Sequence, residues 1–226
     1  MRVPIVLWLS VAAVALAAPA NADSPHFYGV VWNTTVPNLD ADDGALVNLN
    51  TGVLQNNGIC DQFVDHEMWY GVVPGGEYFV EVGVISGETA TPGVCVYQKV
   101  FWAEKVNGIG FTQHLTSVGW SLSTWYQAMI GLGGPCSWDV YFGGVYLGTS
   151  MYNCPGIGRF LAGGIEATSQ SYGNDKGFMW SWERLDSTGT WQSGWDGATL
   201  SQYSPPYIRF TDGTQTESEE TFYEPW

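Results

Sequence analysis

The sequence predicts an all-β domain of the sandwich or barrel kind. Three observations point there. The 226-residue chain is rich in Gly, with 29, and in aromatics, with 12 Trp, 12 Tyr and 10 Phe. Short runs of β-branched and aromatic residues alternate with clusters of Gly, Pro, Asn and Asp, the rhythm of short strands joined by tight turns. No window carries a strong helical period of apolar residues.

In chain order the expected strands are Phe27–Asn33, Ala45–Asn48, Glu67–Val73, Tyr78–Ile85, Cys95–Glu104, Gly110–Leu115, Trp125–Leu132, Trp138–Phe142, Val145–Thr149, Gly158–Thr168, Gly177–Leu185 and Tyr207–Thr211. The clearest hairpin joins Trp138–Phe142 to Val145–Thr149 through Gly143-Gly144. Two central glycines allow the positive φ angles of a tight primed turn. No repeat or linker divides the chain, so residues 23–226 read as one domain. The tail Thr214–Trp226, carrying Glu217, Glu219, Glu220 and Glu224, reads as a solvated end.

Residues 1–22 read as a secretory signal peptide. Arg2 precedes an apolar run from Ile5 to Ala18, broken only by Ser10, and Ala20-Asn21-Ala22 supplies a small-x-small cleavage site. The run is short of the roughly 20 residues that a membrane helix needs. Domain-like sequence begins at Pro25–Asn33, which leaves no propeptide-length segment after cleavage. The expected location is extracellular.

Seven basic residues stand against 22 acidic ones, for a formal net charge of −15. Such a surface repels nucleic acid and anionic membranes, so neither is an expected partner. Its self-repulsion falls as carboxylates neutralise, which makes an acidic setting compatible. A monomer is expected.

Cys60, Cys95, Cys136 and Cys154 are four cysteines in an exported chain, which implies two disulfides. Cys60–Cys95 and Cys136–Cys154 are preferred because each closes a local loop, and the second pair brackets the hairpin. No metal or cofactor is expected. There is no CxxC, and His26, His66 and His114 are scattered. Asp40–Gly44 looks like half a calcium loop, but its third acid is misplaced and no glutamate closes it.

Most acids fall in turns, but two fall within strands. In Tyr78–Ile85, Tyr78, Val80, Val82 and Val84 share one face, and Phe79, Glu81, Gly83 and Ile85 share the other. In Leu161–Thr168, Ala162, Gly164, Glu166 and Thr168 share a face. Each glutamate has a glycine two residues away on its own face, and a strand glycine often marks close approach of a ligand or backbone. If the two strands are neighbours, Glu81 and Glu166 can face each other, share protons and supply an acid and a base together. The bland alternative is two glutamates on a solvated sheet face.

Aromatics form a second constellation. Trp180 and Trp182 share a strand face, while Trp191 and Trp195 lie in a Gly/Ser-rich loop. Exposed aromatic platforms can bind sugar rings, although core packing accounts for most tryptophans. Asn33-Thr34-Thr35 fits a glycosylation sequon.

Over roughly residues 65–170 the chain resembles the glutamic peptidases of the eqolisin and neprosin type. Trp69-Tyr70-Gly71 is followed about a dozen residues on by Phe79-Val80-Glu81-Val82-Gly83. Tyr97–Glu104 looks like the family's aromatic strand, and Gly163-Gly164-Ile165-Glu166 follows a Trp-containing hairpin in similar order. The resemblance implies a two-sheet antiparallel jelly-roll sandwich, concanavalin-like in form. It implies Glu81 and Glu166 as catalytic acids, with Trp69, Trp102, Glu104, Gly83 and Gly164 lining a substrate cleft, and a polypeptide substrate. The region Gly173–Trp195 has no counterpart in the family pattern. A lectin-like module with a glycan ligand is the alternative from another class. A jelly-roll glycosidase, suggested by Glu77-Tyr-Phe-Val-Glu81, ranks third.

Overall fold

The computed structural model describes residues 26–33, 43–54, 60, 62–71, 79–106, 108–151, 160–167, 176–186, 188–193, 208–211 and 217–221. These contain fourteen strands and no helix. The first seven are β1 (His26–Asn33), β2 (Gly44–Val53), β3 (Phe63–Gly71), β4 (Phe79–Glu88), β5 (Cys95–Val106), β6 (Gly110–Leu115) and β7 (Trp125–Gly134). The remainder are β8 (Ser137–Phe142), β9 (Val145–Ser150), β10 (Phe160–Ala167), β11 (Lys176–Leu185), β12 (Trp191–Ser193), β13 (Ile208–Thr211) and β14 (Glu217–Thr221).

The strands form a two-sheet antiparallel sandwich of jelly-roll type. One sheet has six strands in the order β1-β10-β3-β4-β5-β6. The other has eight, running β13-β14-β11-β2-β7-β8-β9 with β12 paired to β11. The chain crosses between sheets repeatedly, so strands distant in sequence become neighbours, as β10 does with both β1 and β3.

Period-two alternation builds the core between the sheets. Val80, Val82 and Val84 of β4, with Val64, Met68 and Tyr70 of β3, project inward from the six-stranded sheet. They meet Ala45, Val47 and Leu49 of β2, Ala128 and Ile130 of β7, and Trp138, Val140 and Phe142 of β8. Burying such side chains contributes about 1.5–3 kcal/mol for each large one.

Each expected strand has a counterpart among the described residues; Val72, Val73, Tyr78, Gly158, Arg159, Thr168 and Tyr207, at the ends of expected strands, lie outside them. Gly143 and Gly144 turn the β8–β9 hairpin with φ of 58° and 77°, as a primed turn demands. β12 and β14 are additions. β14 corrects the reading of the tail: Glu217–Thr221 pairs with both β11 and β13 rather than standing free in solvent. Acidic composition hid a strand whose backbone bonds are supplied from both sides.

Cys60 is bonded to Cys95 with Cα atoms 5.6 Å apart, as expected. Cys136 is disulfide-bonded too; Cys154, its expected partner, lies outside the described residues. So do the signal segment 1–22, the residues Asp40–Asp42, Thr34, Thr35 and Trp195. Trp180 and Trp182 lie on β11, where a register shift between Trp180 and Glu183 against β2 and a φ of 57° at Ser181 interrupt simple alternation. No helix among the described residues is long and apolar enough to cross a membrane.

Candidate functional site

Residues directly opposite each other in an antiparallel sheet project from the same face. Three such rows cross β10, β3 and β4. The first is Glu166–Asp65–Ile85, the second Gly164–Glu67–Gly83, the third Ala162–Trp69–Glu81. Since Val64, Met68 and Tyr70 of β3 face the inter-sheet core, the alternate residues Asp65, Glu67 and Trp69 face away from it. Four carboxylates thus share the outer face: Asp65, Glu67, Glu81 and Glu166. Glu67 stands in the middle row, with Glu166 and Glu81 on opposite diagonals.

β4 and β10 are not neighbours, so the condition for Glu81 and Glu166 to face each other directly is not met. Both flank β3, and β3 inserts two further acids between them. Sequence reasoning missed Asp65 and Glu67 because it began this strand at Glu67. Extending the alternation back through Val64 and His66 would have exposed them.

The two glycines also acquire a different meaning. Gly83 and Gly164 both lie directly across from Glu67. A Cβ on Gly83 would stand 2.2 Å from the His66 carbonyl oxygen and 2.7 Å from Glu67 Cα and Cβ. Gly83 therefore permits close approach of β3 and its carboxylate, rather than clearing a patch beside Glu81.

All four acids are buried, with exposures of 5% for Asp65, 1% for Glu67, 5% for Glu81 and 7% for Glu166. Asp65, Glu67 and Glu166 each offer an oxygen within 4.8 Å of the others. The Glu166 backbone N–H donates to Asp65 Oδ1 over 3.3 Å. Burial penalises the charged form, and adjacent negative charges repel. Burial accordingly pushes Glu166 up to about 7. Glu81 is raised by burial and then by the Glu166 charge. Asp65 is raised by burial, then by Glu166 and Glu81, against a smaller opposing pull from the Glu166 backbone bond. Glu67 is raised by burial, then by Asp65, Glu81 and Glu166, while the Trp69 indole pulls weakly the other way.

Trp69 lies half-buried on this face, stacked on Phe79 at 5.9 Å between centroids. Phe79 in turn lies 6.1 Å from Phe111 of β6. This aromatic row runs alongside the carboxylates toward the sheet edge. Trp102 and Glu104 are not brought to it. Both sit at even positions of β5, facing the core side: Trp102 is buried there, stacked on His114 at 4.0 Å. Glu104 lies 3.8 Å from His114 Nε2. Their placement on the sheet's other face corrects the expectation that they line one cleft with Glu81 and Glu166. The alternation of β5 decides the matter, since its register sets Ala103, not Trp102, across from Glu81.

His66 points inward from β3, with Nδ1 3.0 Å from Thr51 Oγ1 of β2. Burial lowers its pKa to about 3, so it is neutral across most of the pH range.

No family model matches the sequence, and no curated protein matches it. The fold, however, is shared with solved structures. Two are scytalido-glutamic peptidase bound to transition-state analogues, at TM-scores of 0.59 and 0.57 and identities of 9% and 10%. A third is SCP-B, a member of the eqolisin family of peptidases, with a tripeptide, at a TM-score of 0.56 and 10% identity. In each case 88% of this chain aligns with 98% of the other. At these identities the likeness is one of fold.

Proposed function

We propose that this chain is an exported hydrolase of peptide bonds that uses Glu81 and Glu166 as its acid and base. The observation carrying this reading is the convergence of the two glutamates on one buried face, on opposite diagonals of Glu67, such that the charge of Glu166 raises Glu81. The shared fold with glutamic peptidases supports it.

We read Glu166 as the base and Glu81 as the acid, because the Glu166 charge helps Glu81 keep its proton. Glu166 takes a proton from water as the water oxygen bonds to the carbonyl carbon. Glu81 donates to the carbonyl oxygen while negative charge develops there. The proton on Glu166 then passes to the amide nitrogen, the C–N bond breaks as the former carbonyl hydroxyl returns its proton to Glu81, and an acid and an amine leave. Trp69, beside Glu81, gives the polypeptide an apolar wall.

Cleavage of an unfolded protein substrate between roughly pH 3 and 8 tests this reading, since raised carboxylates titrate within that range. The profile is expected to be bell-shaped, with its acid limb set by Glu166. Glu81→Gln and Glu166→Gln should each lower kcat by roughly 10²–10⁴-fold. A wild-type protein inactive throughout, or either variant retaining full activity, would sink the proposal. Export predicts that the secreted chain begins at Asp23; amino-terminal sequencing that finds Met1 would contradict it.

A further inference from the structure

We propose that Asp65, Glu67 and Glu166 form a binding site for a hard divalent cation, with calcium the best fit. The sequence gives no hint of it, because the three ligands come from two strands nearly a hundred residues apart and only the β3–β10 register brings them together.

Two independent observations carry the inference. The first is spacing. One oxygen from each residue lies within 4.8 Å of the other two. Oxygens on opposite sides of a calcium ion stand about 4.6–5.2 Å apart, at about 2.3–2.6 Å from the metal. The three oxygens therefore lie within the span of one coordination sphere.

The second is Glu67 itself. It is 1% exposed, yet neither Oε1 nor Oε2 completes a hydrogen bond among the described residues. An unsatisfied buried carboxylate is costly, and native structures rarely leave one without a reason. Gly83 and Gly164 on both sides remove the side chains that could have supplied donors. Apart from the Trp69 indole, what faces Glu67 is more carboxylate, and a hard cation with oxygen ligands satisfies such a set directly. Glu81, on the opposite diagonal from Glu166, stands ready as an outer neighbour to the ion.

The inference does not rest on the proposed hydrolysis, although both use Glu166. Its test reads binding rather than cleavage, so either can fail without the other. The full secreted chain is titrated at neutral pH with terbium, a luminescent stand-in for calcium that the Trp69 indole at the cluster can sensitise. Calcium chloride is then added as competitor, and melting is followed with and without calcium. The expected result is saturable luminescence at one terbium per chain, displaced by calcium in the ~0.1–1 mM range of extracellular modules, and a higher melting temperature with calcium.

Asp65→Asn and Glu67→Gln should each weaken binding by at least about tenfold. Glu88→Gln, at the far end of β4, should leave it unchanged. Terbium that fails to saturate at one per chain overturns the proposal whatever the variants do. So does an equal response in Asp65→Asn, Glu67→Gln and Glu88→Gln, which would mark diffuse attraction to an acidic surface. Should one of the cluster variants not fold, the other decides.

Discussion

At the scale of single residues, Glu67 organises the site. It lies between Gly164 and Gly83, between Asp65 and Trp69 along its strand, and between Glu166 and Glu81 on the diagonals. Its charge is opposed by burial and by three other acids. In cation-free buffer, Glu67→Gln should raise the melting temperature at neutral pH and leave it nearly unchanged near pH 4, where the cluster is already protonated. A loss of stability at both pH values would show that the carboxylate is structurally required. Gly83→Ala tests the other side of the same contact. The added methyl meets the His66 carbonyl and Glu67 at distances that backbone must yield to. Overpacking of this kind costs about 1–3 kcal/mol, measurable by urea unfolding. An unchanged midpoint would mean that β3 and β4 are not as close as described.

At the scale of elements, alternation within a strand was legible in the sequence and pairing between strands was not. Val80, Val82 and Val84 against Glu81 and Gly83 can be read directly, because period two is local. That β10 lies beside β3, not β4, depends on chain crossings between sheets, which no local pattern encodes. The same limit explains Trp102 and Glu104: their aromatic and acidic character is visible, but the face they take follows from the β5 register. β14 was hidden for another reason, since its acids match the composition of a solvated end while its strand character comes from neighbours β11 and β13. The Cys60–Cys95 bond was within reach of sequence because an even cysteine count and the local loop it closes both favour it. It joins residues 35 apart, tying the approach to β3 to the start of β5. Replacing both cysteines with serine should cost about 3–4 kcal/mol, by the chain-entropy relation for such a loop. A loss below about 1 kcal/mol would indicate that pairing within the sheet already holds these ends together.

At the scale of the whole molecule, the buried titratable groups set opposing pH dependences. Glu166 holds its proton to about 7 in the folded chain against an ordinary 4.5. Its stabilisation is therefore complete below pH 4.5 and is lost as pH rises through 7. Asp65, Glu67 and Glu81 shift in the same direction and add to it. His66 runs the other way: lowered from 6.5 to about 3, it contributes stability that is full above 6.5 and lost as pH falls through 3. The two trends predict a melting temperature that peaks between about pH 4 and 5, with a neutral limb set by the carboxylates and an acid limb by His66. The central claim, that four carboxylates crowded on one sheet face keep their protons where ordinary ones have lost them, is tested most directly by a carboxyl-carbon NMR titration of the glutamates. Near pH 6, Glu166 should still show a largely protonated shift, and Glu67 and Glu81 should titrate well above the ordinary glutamate value. If Glu67, Glu81 and Glu166 all titrate together near the ordinary glutamate value of 4.5, the cluster is not closed in the way described, and the acid–base assignment built on it falls with it.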